Sequence, residues 1–471
     1  MTTFADFGLP APVVRSLADQ GITTPFPIQT ASLGDTLAGK DVLGRGRTGS
    51  GKTLAFSLPV VTRLATSAAK AAAAGKPRRR AGRPRALVLC PTRELANQIN
   101  ATMEPLATTL GLKTTTIFGG VAQSRQVTAL AGGVDVVIAC PGRLEDLLGQ
   151  KHLTLDDVEI TVLDEADHMA DLGFLPGVKR IMDRTPAVGQ RLLFSATLDN
   201  GVDVLVKRYL KNPVTHSVDD AAAPPPQMTH HILAVSDADA KKDVVHALAS
   251  GTGRRVLFTR TKHQAKKLAK QLTGAGVPAV DLHGNLGQGA RERNLAAFSS
   301  GEVKVLVATD IAARGIHVDD VELVVHVDPP AEHKAYLHRS GRTARAGSGG
   351  DVVTVMLPEQ RGDVRDLTRK AKISASPQPV APGDATVAAL VGEVAPYVKP
   401  APAPAPQQPS RKGGQSRSRA PQKQGAQRQG ASSQGTQQSG HRPAAAAGDG
   451  AARPARRRRR GGRGRGPRAG V

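Results

Sequence analysis

Ile160-Thr161-Val162-Leu163-Asp164-Glu165-Ala166-Asp167 is an apolar run that ends in a cluster of acids. The run predicts a buried strand. A carboxylate pair at the end of such a strand is one half of a nucleoside-triphosphate hydrolysis site. The other half lies at residues 46–53, where the letters GRTGSGKT fit the phosphate-loop pattern G-x-x-x-x-G-K-T. Together the two stretches predict a nucleotide-binding α/β domain.

The residue types in these two stretches assign their roles. Glycines let successive backbone N–H groups face phosphates, while the loop lysine reaches the β- and γ-phosphates and the threonine hydroxyl ligates Mg²⁺. In the acid cluster we expect Asp164 to hold Mg²⁺ through water and Glu165 to orient and deprotonate the attacking water. The predicted nucleotide-binding set of the loop is Thr48, Gly49, Ser50, Gly51, Lys52 and Thr53.

Apolar strand-like runs followed by polar motifs recur along the chain, and helical spacing fills the gaps between them. In one gap Leu95, Ile99 and Met103 recur every four residues. This alternation predicts parallel sheets whose ligands bind at the carboxyl ends of the strands. We predict two α/β domains, at residues 1–218 and 230–372. A proline-rich linker at residues 219–229 joins them, and a disordered tail follows at residues 373–471.

The positive charge is concentrated near the end of the chain. The net charge is +24, and residues 401–471 hold 16 of the 64 Lys and Arg residues but one of the 40 acidic residues. This excess favours a polyanionic partner, nucleic acid before a membrane surface. Disordered Arg/Gly segments bind single strands, so the tail is interpreted as an RNA tether, with a solubilising tail as the alternative. Residues 68–85 look like an exposed basic loop, either a surface insertion or a second binding element.

The composition also bounds the compartment. Cys90 and Cys140 are too few for a disulfide framework and favour a reducing cytosol. The first residues do not form a signal peptide, and no apolar run approaches the length of a membrane span. We therefore expect a cytoplasmic protein without a membrane segment.

A second arginine-rich motif lies at residues 338–347, in the second predicted domain. Arg342 and Arg345 are three residues apart and share one face if the segment is helical. Two such guanidinium groups suit the charge that develops on a γ-phosphate. A basic surface helix is the alternative.

Taken together, residues 1–372 resemble a DEAD-box ATP-dependent RNA helicase, with a dozen motifs in order. The resemblance implies two RecA-like domains, ATP and Mg²⁺ as cofactors, and RNA as a partner bound largely through its backbone. Residues 21–29 resemble the adenine-reading Q motif. By this resemblance Gln29 bonds the adenine edge and Phe4 stacks on the base.

The same resemblance assigns the remaining motifs. Ser195 and Thr197 would couple hydrolysis to domain closure, and His338 would link the closed domains near the acid cluster. The implied RNA-binding residues are Pro91, Thr92, Arg93, Gly119, Gly120, Pro141, Gly142 and Arg143 on the first domain, and Arg260, Gln288, Arg291 and Thr309 on the second.

Three positions depart from the family pattern. Gly46 replaces the usual alanine, which changes little, and Cys140 replaces a threonine, which removes a hydroxyl from the RNA side. His317 stands where the family has an aspartate that contacts the ATP ribose. Because an imidazole still hydrogen-bonds a hydroxyl, we expect an altered or weaker ribose contact and retained activity.

Two other functions compete with this interpretation. A DNA-directed helicase of the same superfamily is disfavoured by the Q motif and by the Pro-Thr-Arg-Glu-Leu-Ala block at residues 91–96. A non-catalytic RNA-binding or annealing protein, acting through its tail, is disfavoured by the intact hydrolytic set. Ribosome assembly, messenger decay and cold adaptation are all compatible with the sequence, and protein partners stay open.

Overall fold

The computed structural model describes residues 2–46, 49–75, 79–198, 200–218, 228–313, 320–344 and 349–400. These residues form two α/β domains, each built on a seven-stranded parallel sheet. Residues 219–227 of the predicted linker (219–229) and residues 401–471 of the predicted tail (373–471) lie outside this part of the chain.

The first domain alternates strands and helices after two initial helices. Its strands are β1 (Val42–Arg45), β2 (Ala86–Leu89), β3 (Thr114–Ile117), β4 (Val136–Ala139), β5 (Ile160–Asp164), β6 (Gln190–Ser195) and β7 (Val214–Ser217). Its helices are α1 (Ala11–Asp19), α2 (Pro27–Leu37), α3 (Lys52–Ala73), α4 (Arg93–Thr109), α5 (Gln123–Ala131), α6 (Pro141–Gly149), α7 (Ala166–Asp171), α8 (Leu175–Met182) and α9 (Asn200–Tyr209).

The second domain repeats the alternation. Its strands are β8 (Met228–Ala234), β9 (Arg254–Phe258), β10 (Ala279–Leu282), β11 (Val305–Ala308), β12 (Val321–His326), β13 (Gly350–Met356) and β14 (Pro377–Pro379). Its helices are α10 (Ala238–Ala249), α11 (Lys262–Gly274), α12 (Gln288–Ser299), α13 (Asp310–Ala313), α14 (His333–Ser340), α15 (Arg361–Ala371) and α16 (Ala385–Val391).

The two sheets have the same strand order. The first is β3-β4-β2-β5-β6-β1-β7 and the second is β10-β11-β9-β12-β13-β8-β14. Counted within each domain, both orders are 3-4-2-5-6-1-7. The two domains are therefore two copies of one topology, and in each the carboxyl ends of the strands form one edge.

Burial on both faces explains why the strands are continuous apolar runs. In β2, Ala86 and Val88 pack into one core cluster, while Leu87 and Leu89 pack into another on the opposite face. Parallel sheets covered by helices on both sides need such runs. The predicted strand at residues 160–163 and the helix carrying Leu95 are confirmed. Residues 256–258, another apolar run, lie in β9.

The second domain extends beyond its predicted end at residue 372. β14 pairs with β8, and α16 buries Val387 and Val391 in the core of the domain. The buried Arg255 guanidinium fastens this segment, because its Nη2 donates to the carbonyl of Val391 at 2.6 Å. The predicted boundary between the domain and the tail was therefore wrong, and residues 377–391 belong to the folded unit.

The stretch predicted as an exposed basic loop is largely attached to the first domain. Helix α3 runs to Ala73, and the described arginines beyond it bind carboxylates across the domain. Arg79 Nε donates to Asp135 Oδ2 at 2.7 Å, and Arg85 Nε donates to Glu159 Oε1 at 2.7 Å. Because these charges are already paired, this part of the stretch is a poor candidate for binding RNA.

Within the described ranges, no helix combines the length and the apolar character that crossing a membrane requires.

Candidate active site

The phosphate loop lies between β1 and α3, at the carboxyl edge of the first sheet. Gly49 and Gly51 have φ of +89° and +88°, a region that side chains disfavour. A Cβ on Gly51 would also lie 2.5 Å from Gln29 Nε2. The glycine is required at this position because both its conformation and its neighbours exclude a side chain.

Two buried polar side chains of the loop are consistent with phosphate binding. Lys52 is buried, and its Nζ donates to the carbonyl of Gly46 at 2.6 Å. Ser50 Oγ is buried and, among the atoms described, has no hydrogen-bond partner. Buried polar groups normally find partners, so an anion cradled by the loop fits this arrangement. Thr48 lies outside the described residues.

The two acids at the end of β5 differ in protonation. Burial raises the pKa of Asp164 to about 7, although the charge of Lys52 acts to lower it. Burial also acts to raise the pKa of Glu165, but the hydrogen bond from His168 and nearby positive charges outweigh it and lower this pKa to about 2. Glu165 is therefore an ionised carboxylate at neutral pH, suited to orienting a water molecule.

The backbone fixes the direction of Glu165. Its φ of 49° and ψ of 52° lie in the left-handed region, which is uncommon for a residue with a side chain. The His168 ring holds the carboxylate, with Nδ1 3.1 Å from Glu165 Oε2. Such conformations cluster at functional sites. The sequence did not single out His168, whose position one turn along α7 is the signal that could have identified it.

Asp167 joins the acid cluster to the end of β6. Its Oδ2 accepts hydrogen bonds from the backbone N–H of Thr197 at 2.9 Å and from Thr197 Oγ1 at 3.1 Å. Ser195 Oγ accepts the N–H of Asp167 at 3.2 Å and donates to the carbonyl of Thr197. The predicted coupling residues thus contact the acid cluster directly, and Asp167 is the connecting residue that sequence reasoning missed.

The two Q-motif residues are both buried. Gln29 is 1% exposed, and its amide bridges the N–H of Phe26 and the carbonyl of Gly51, at 2.9 Å each. Gln29 therefore braces the phosphate loop. Phe4 is 2% exposed in the core and presents little ring surface for stacking, whereas Phe26 is 48% exposed beside the loop.

The second domain brings an arginine to the acids of the first. Arg342 is 7% exposed and close enough to Glu165 for its charge to help lower that pKa. Its Nε donates to the carbonyl of His338 at 3.3 Å. Helix α14 ends at Ser340, so the helical face predicted for the arginine pair does not form at Arg342.

Two predicted nucleotide contacts of this domain, Arg345 and His317, lie outside the described residues.

Residues predicted to bind RNA meet across the two domains. Arg93 Nη1 donates to Gln288 Oε1 at 3.0 Å, and Arg291 Nε donates to Glu94 Oε1 at 2.7 Å. The second is an ion pair whose side chains are only 11% and 8% exposed. Gly120 beside Arg93 has a φ of +81°, a backbone conformation that residues with side chains rarely adopt.

The other predicted RNA residues lie at the carboxyl edges of their sheets. Thr92 caps α4, with its side chain accepting the N–H of Leu95, and Pro141 begins α6. Arg143 is turned inward, with Nη1 3.3 Å from Gln126 Oε1. Arg260 is exposed after β9. Pro91, Gly119, Gly142 and Thr309 follow the ends of β2, β3, β4 and β11, respectively.

The oxygen donors at the phosphate loop and the acid cluster fit a magnesium ion. Among the described residues, no three His, Cys, Asp or Glu side chains group together as a metal site. Mg²⁺ is usually held by one or two carboxylates together with substrate phosphates, not by a cage of protein ligands. The buried Asp164 and the Thr53 hydroxyl beside an anion cradle fit that mode of binding.

Comparisons with known proteins agree with this geometry. A family model described as DEAD/DEAH box helicase matches residues 26–205, and one described as helicase conserved C-terminal domain matches residues 240–347. The chain is 38% identical over 353 residues to the ATP-dependent RNA helicase RhlB of Pseudomonas syringae, covering 74% of this chain and 87% of that protein.

A longer relative and a solved structure extend the comparison. The chain is 40% identical over 371 residues to the chloroplastic DEAD-box ATP-dependent RNA helicase 3A of Zea mays, covering 78% of this chain and 48% of that protein. It thus spans about half the length of that curated relative. Dbp5 of S. cerevisiae, solved with RNA and ADP BeF3, has a TM-score of 0.72 and 26% identity, covering 83% of this chain and 99% of that one.

Proposed function

Because the chain belongs to the DEAD-box family of RNA helicases, with two RecA-like domains, we propose that it is an RNA-dependent ATPase. It uses ATP binding and hydrolysis to separate RNA duplexes locally or to remodel RNA–protein complexes. The observation that carries the proposal is the position of Arg342. This residue of the second domain lies near Glu165, the predicted catalytic carboxylate of the first.

Hydrolysis in this site needs both domains. The first domain supplies the phosphate loop and the acids, and the second supplies Arg342, buried at the site. A guanidinium group stabilises charge on the transferring phosphoryl group. Neither domain can therefore hydrolyse ATP alone, and activity requires the two domains to close on each other. Glu165 orients the attacking water, and Lys52 binds the phosphates. Mg²⁺ held by Thr53 and Asp164 would neutralise charge on the phosphate oxygens.

RNA favours closure because its proposed binding residues lie on both domains. Arg93 and Gln288 already meet at 3.0 Å across the domains. An RNA strand that contacts both domains stabilises their closed arrangement, so RNA stimulates hydrolysis. By linkage, ATP binding tightens RNA binding. The Asp167–Thr197 hydrogen bonds give hydrolysis a physical connection to the end of β6.

The Glu94–Arg291 ion pair should contribute to closure. We expect Glu94→Ala to raise the RNA KM of ATP hydrolysis. In a chain that already carries Arg291→Ala, the same substitution should raise the RNA KM little further. Both side chains are nearly buried, so removing either leaves an unpaired charge. A double-mutant cycle in RNA kcat/KM should give a coupling of about 1–3 kcal/mol. The exposed Lys207–Asp203 pair lies within one helix of the first domain, so it is the control and should show no coupling in RNA kcat/KM. Additive effects of Glu94→Ala and Arg291→Ala would contradict this role.

The basic tail is proposed to tether RNA. Truncation after residue 400 is the appropriate cut, because a cut at 375 would also remove β14 and α16 from the second domain. We expect this truncation to raise the RNA KM strongly at moderate salt and to leave basal ATPase nearly intact. The dependence of RNA affinity on salt should also become shallower, since fewer phosphates are neutralised. An RNA KM that does not change with truncation would favour a solubilising tail.

The proposed activity is tested by ATP hydrolysis with and without single-stranded RNA, in the wild type and in Glu165→Gln. Strong stimulation by RNA that the variant loses supports the proposal, whereas equal stimulation by single-stranded DNA would favour the DNA-directed alternative. If RNA binds without stimulating, or if Glu165→Gln retains all RNA remodelling, an annealing protein acting through its tail becomes the better explanation.

The compartment is part of the proposal. Cys90 and Cys140 are both free thiols, which suits a reducing compartment. We therefore propose the cytoplasm.

A further inference from the structure

The only two cysteines of the chain lie next to each other at the carboxyl edge of the first sheet. Cys90 directly follows β2 and Cys140 directly follows β4, and these strands are paired in register with Leu89 opposite Ala139. The N–H of Cys90 donates to the carbonyl of Ala139 at 3.0 Å, so the pairing continues past the last strand residue. In-register neighbours point to the same face, and both thiols pack against the same core cluster.

The spacing of the two strands suits a covalent link. Neighbouring strands lie about 4.7–4.9 Å apart. Disulfides join Cα atoms separated by about 4.4–6.8 Å, so a bond needs little backbone movement. Both thiols are free.

We propose that Cys90 and Cys140 form an oxidation site, at which a peroxide converts the two thiols into an intramolecular disulfide. Cys140 is partly exposed, whereas Cys90 is fully buried, so the peroxide reaches Cys140 first. The Cys140 sulfur takes one peroxide oxygen and becomes a sulfenic acid, while the other oxygen leaves as water or an alcohol. The Cys90 sulfur then attacks the Cys140 sulfur, an S–S bond forms, and a second water leaves.

Surface access and a buried partner suit a reversible site. The buried thiol is positioned to resolve the sulfenic acid before further oxidation. In a reducing compartment thiols are restored, so such a disulfide is transient.

Oxidation should affect the residues that follow each cysteine. Pro91 to Arg93 come after Cys90, and Pro141 to Arg143 come after Cys140, where α4 and α6 begin. On its other side β2 pairs with β5, with Leu89 opposite Leu163, so Cys90 lies beside Asp164. The bond would fix the starts of both loops to each other, so that they could no longer adjust independently to a bound strand. Reduced stimulation by RNA follows if those loops bind RNA, a consequence that rests on the proposed function.

The covalent step is tested on the full-length folded chain with hydrogen peroxide. Remaining thiols are alkylated under denaturing conditions, and peptides are analysed by mass spectrometry. We expect a Cys90–Cys140 cross-linked peptide, lighter than the two reduced peptides by two hydrogen atoms, that dithiothreitol converts back. Cys90→Ser and Cys140→Ser should each lack it. Two fully alkylated cysteines after peroxide treatment, or Cys140 oxidised to sulfinic acid without a cross-link, would overturn the proposal.

The effect on the site is tested by the RNA KM of ATP hydrolysis in the full-length chain. Cys90→Ser keeps the same tail and cannot form the disulfide, so a difference between it and the wild type reports on the cross-link. Peroxide should raise the RNA KM of the wild type by about three- to tenfold, reversibly, while the RNA KM of Cys90→Ser stays at its own untreated value. A cross-link that forms without changing the RNA KM would overturn the regulatory consequence. If RNA does not stimulate ATP hydrolysis by the wild-type protein with reduced thiols, the proposed function is contradicted. A cross-link found by mass spectrometry would still stand.

Discussion

Glu165→Gln is expected to lower the kcat of ATP hydrolysis by about 10²–10⁴-fold, the usual contribution of a general base. The substitution is nearly isosteric, so the side chain keeps its size and its contact with the His168 ring, which lies 3.1 Å away in the wild type. What it loses is the negative charge that we propose orients the attacking water. ATP binding should persist, because the phosphate loop is unchanged.

Two measurements separate these effects. Single-turnover hydrolysis reports the chemical step, and binding of a fluorescent ATP analogue reports the affinity for nucleotide. Glu104→Gln makes the same chemical change at an exposed position of α4 and should leave both values unchanged. A Glu165→Gln variant that hydrolyses ATP within a few-fold of the wild-type rate would remove Glu165 from its assigned role.

Arg342→Ala is expected to lower the RNA-stimulated kcat by about 10³-fold or more, as loss of an arginine finger does in other phosphoryl-transfer enzymes. Arg342 is 7% exposed and acts on Glu165 from the other domain. Arg342→Lys keeps the charge but loses the planar fork, so we expect it to recover only part of the rate.

The Arg342 effect should appear in kcat and not in RNA affinity. RNA binding by fluorescence anisotropy should stay close to the wild-type value, since no RNA role is assigned to this residue. Arg369→Ala, which removes an arginine that is 72% exposed on α15, is the matched control. If Arg342→Ala hydrolyses ATP as fast as Arg369→Ala does, the composite site proposed here is wrong.

Apolar runs ending in polar motifs were sufficient to predict the central strands of both sheets. These strands are covered on both faces, so every residue is buried, as in β2 and β5. The edge strands do not have this continuous burial. β14 has the sequence Pro-Gln-Pro and is fully exposed, a composition found at sheet edges because proline cannot donate to a ladder. The end of the second domain was misplaced for this reason.

Charge partners were the other part that the sequence could not predict. The arginines of residues 79–85 resemble a binding patch until their carboxylate partners are known, and Asp135 and Glu159 lie far away along the chain. Asp167 was visible within the acid cluster, but its partner Thr197 is brought to it only by the pairing of β5 and β6. Sequence motifs identify candidate residues, whereas the contacts between those residues depend on the tertiary fold.

Because the two sheets have the same strand order, the second domain has a position that corresponds to the phosphate loop of the first. The position that corresponds to the phosphate loop lies between β8 and α10, where only residues 235–237 connect the strand to the helix. Asp237 occupies the helix start, and its carboxylate accepts the N–H groups of Asp239 and Ala240 at 2.9 Å each. These amides are already satisfied, and the negative charge repels phosphate. This position of the second domain is therefore unsuited to binding phosphate, and we expect one ATP to bind per chain.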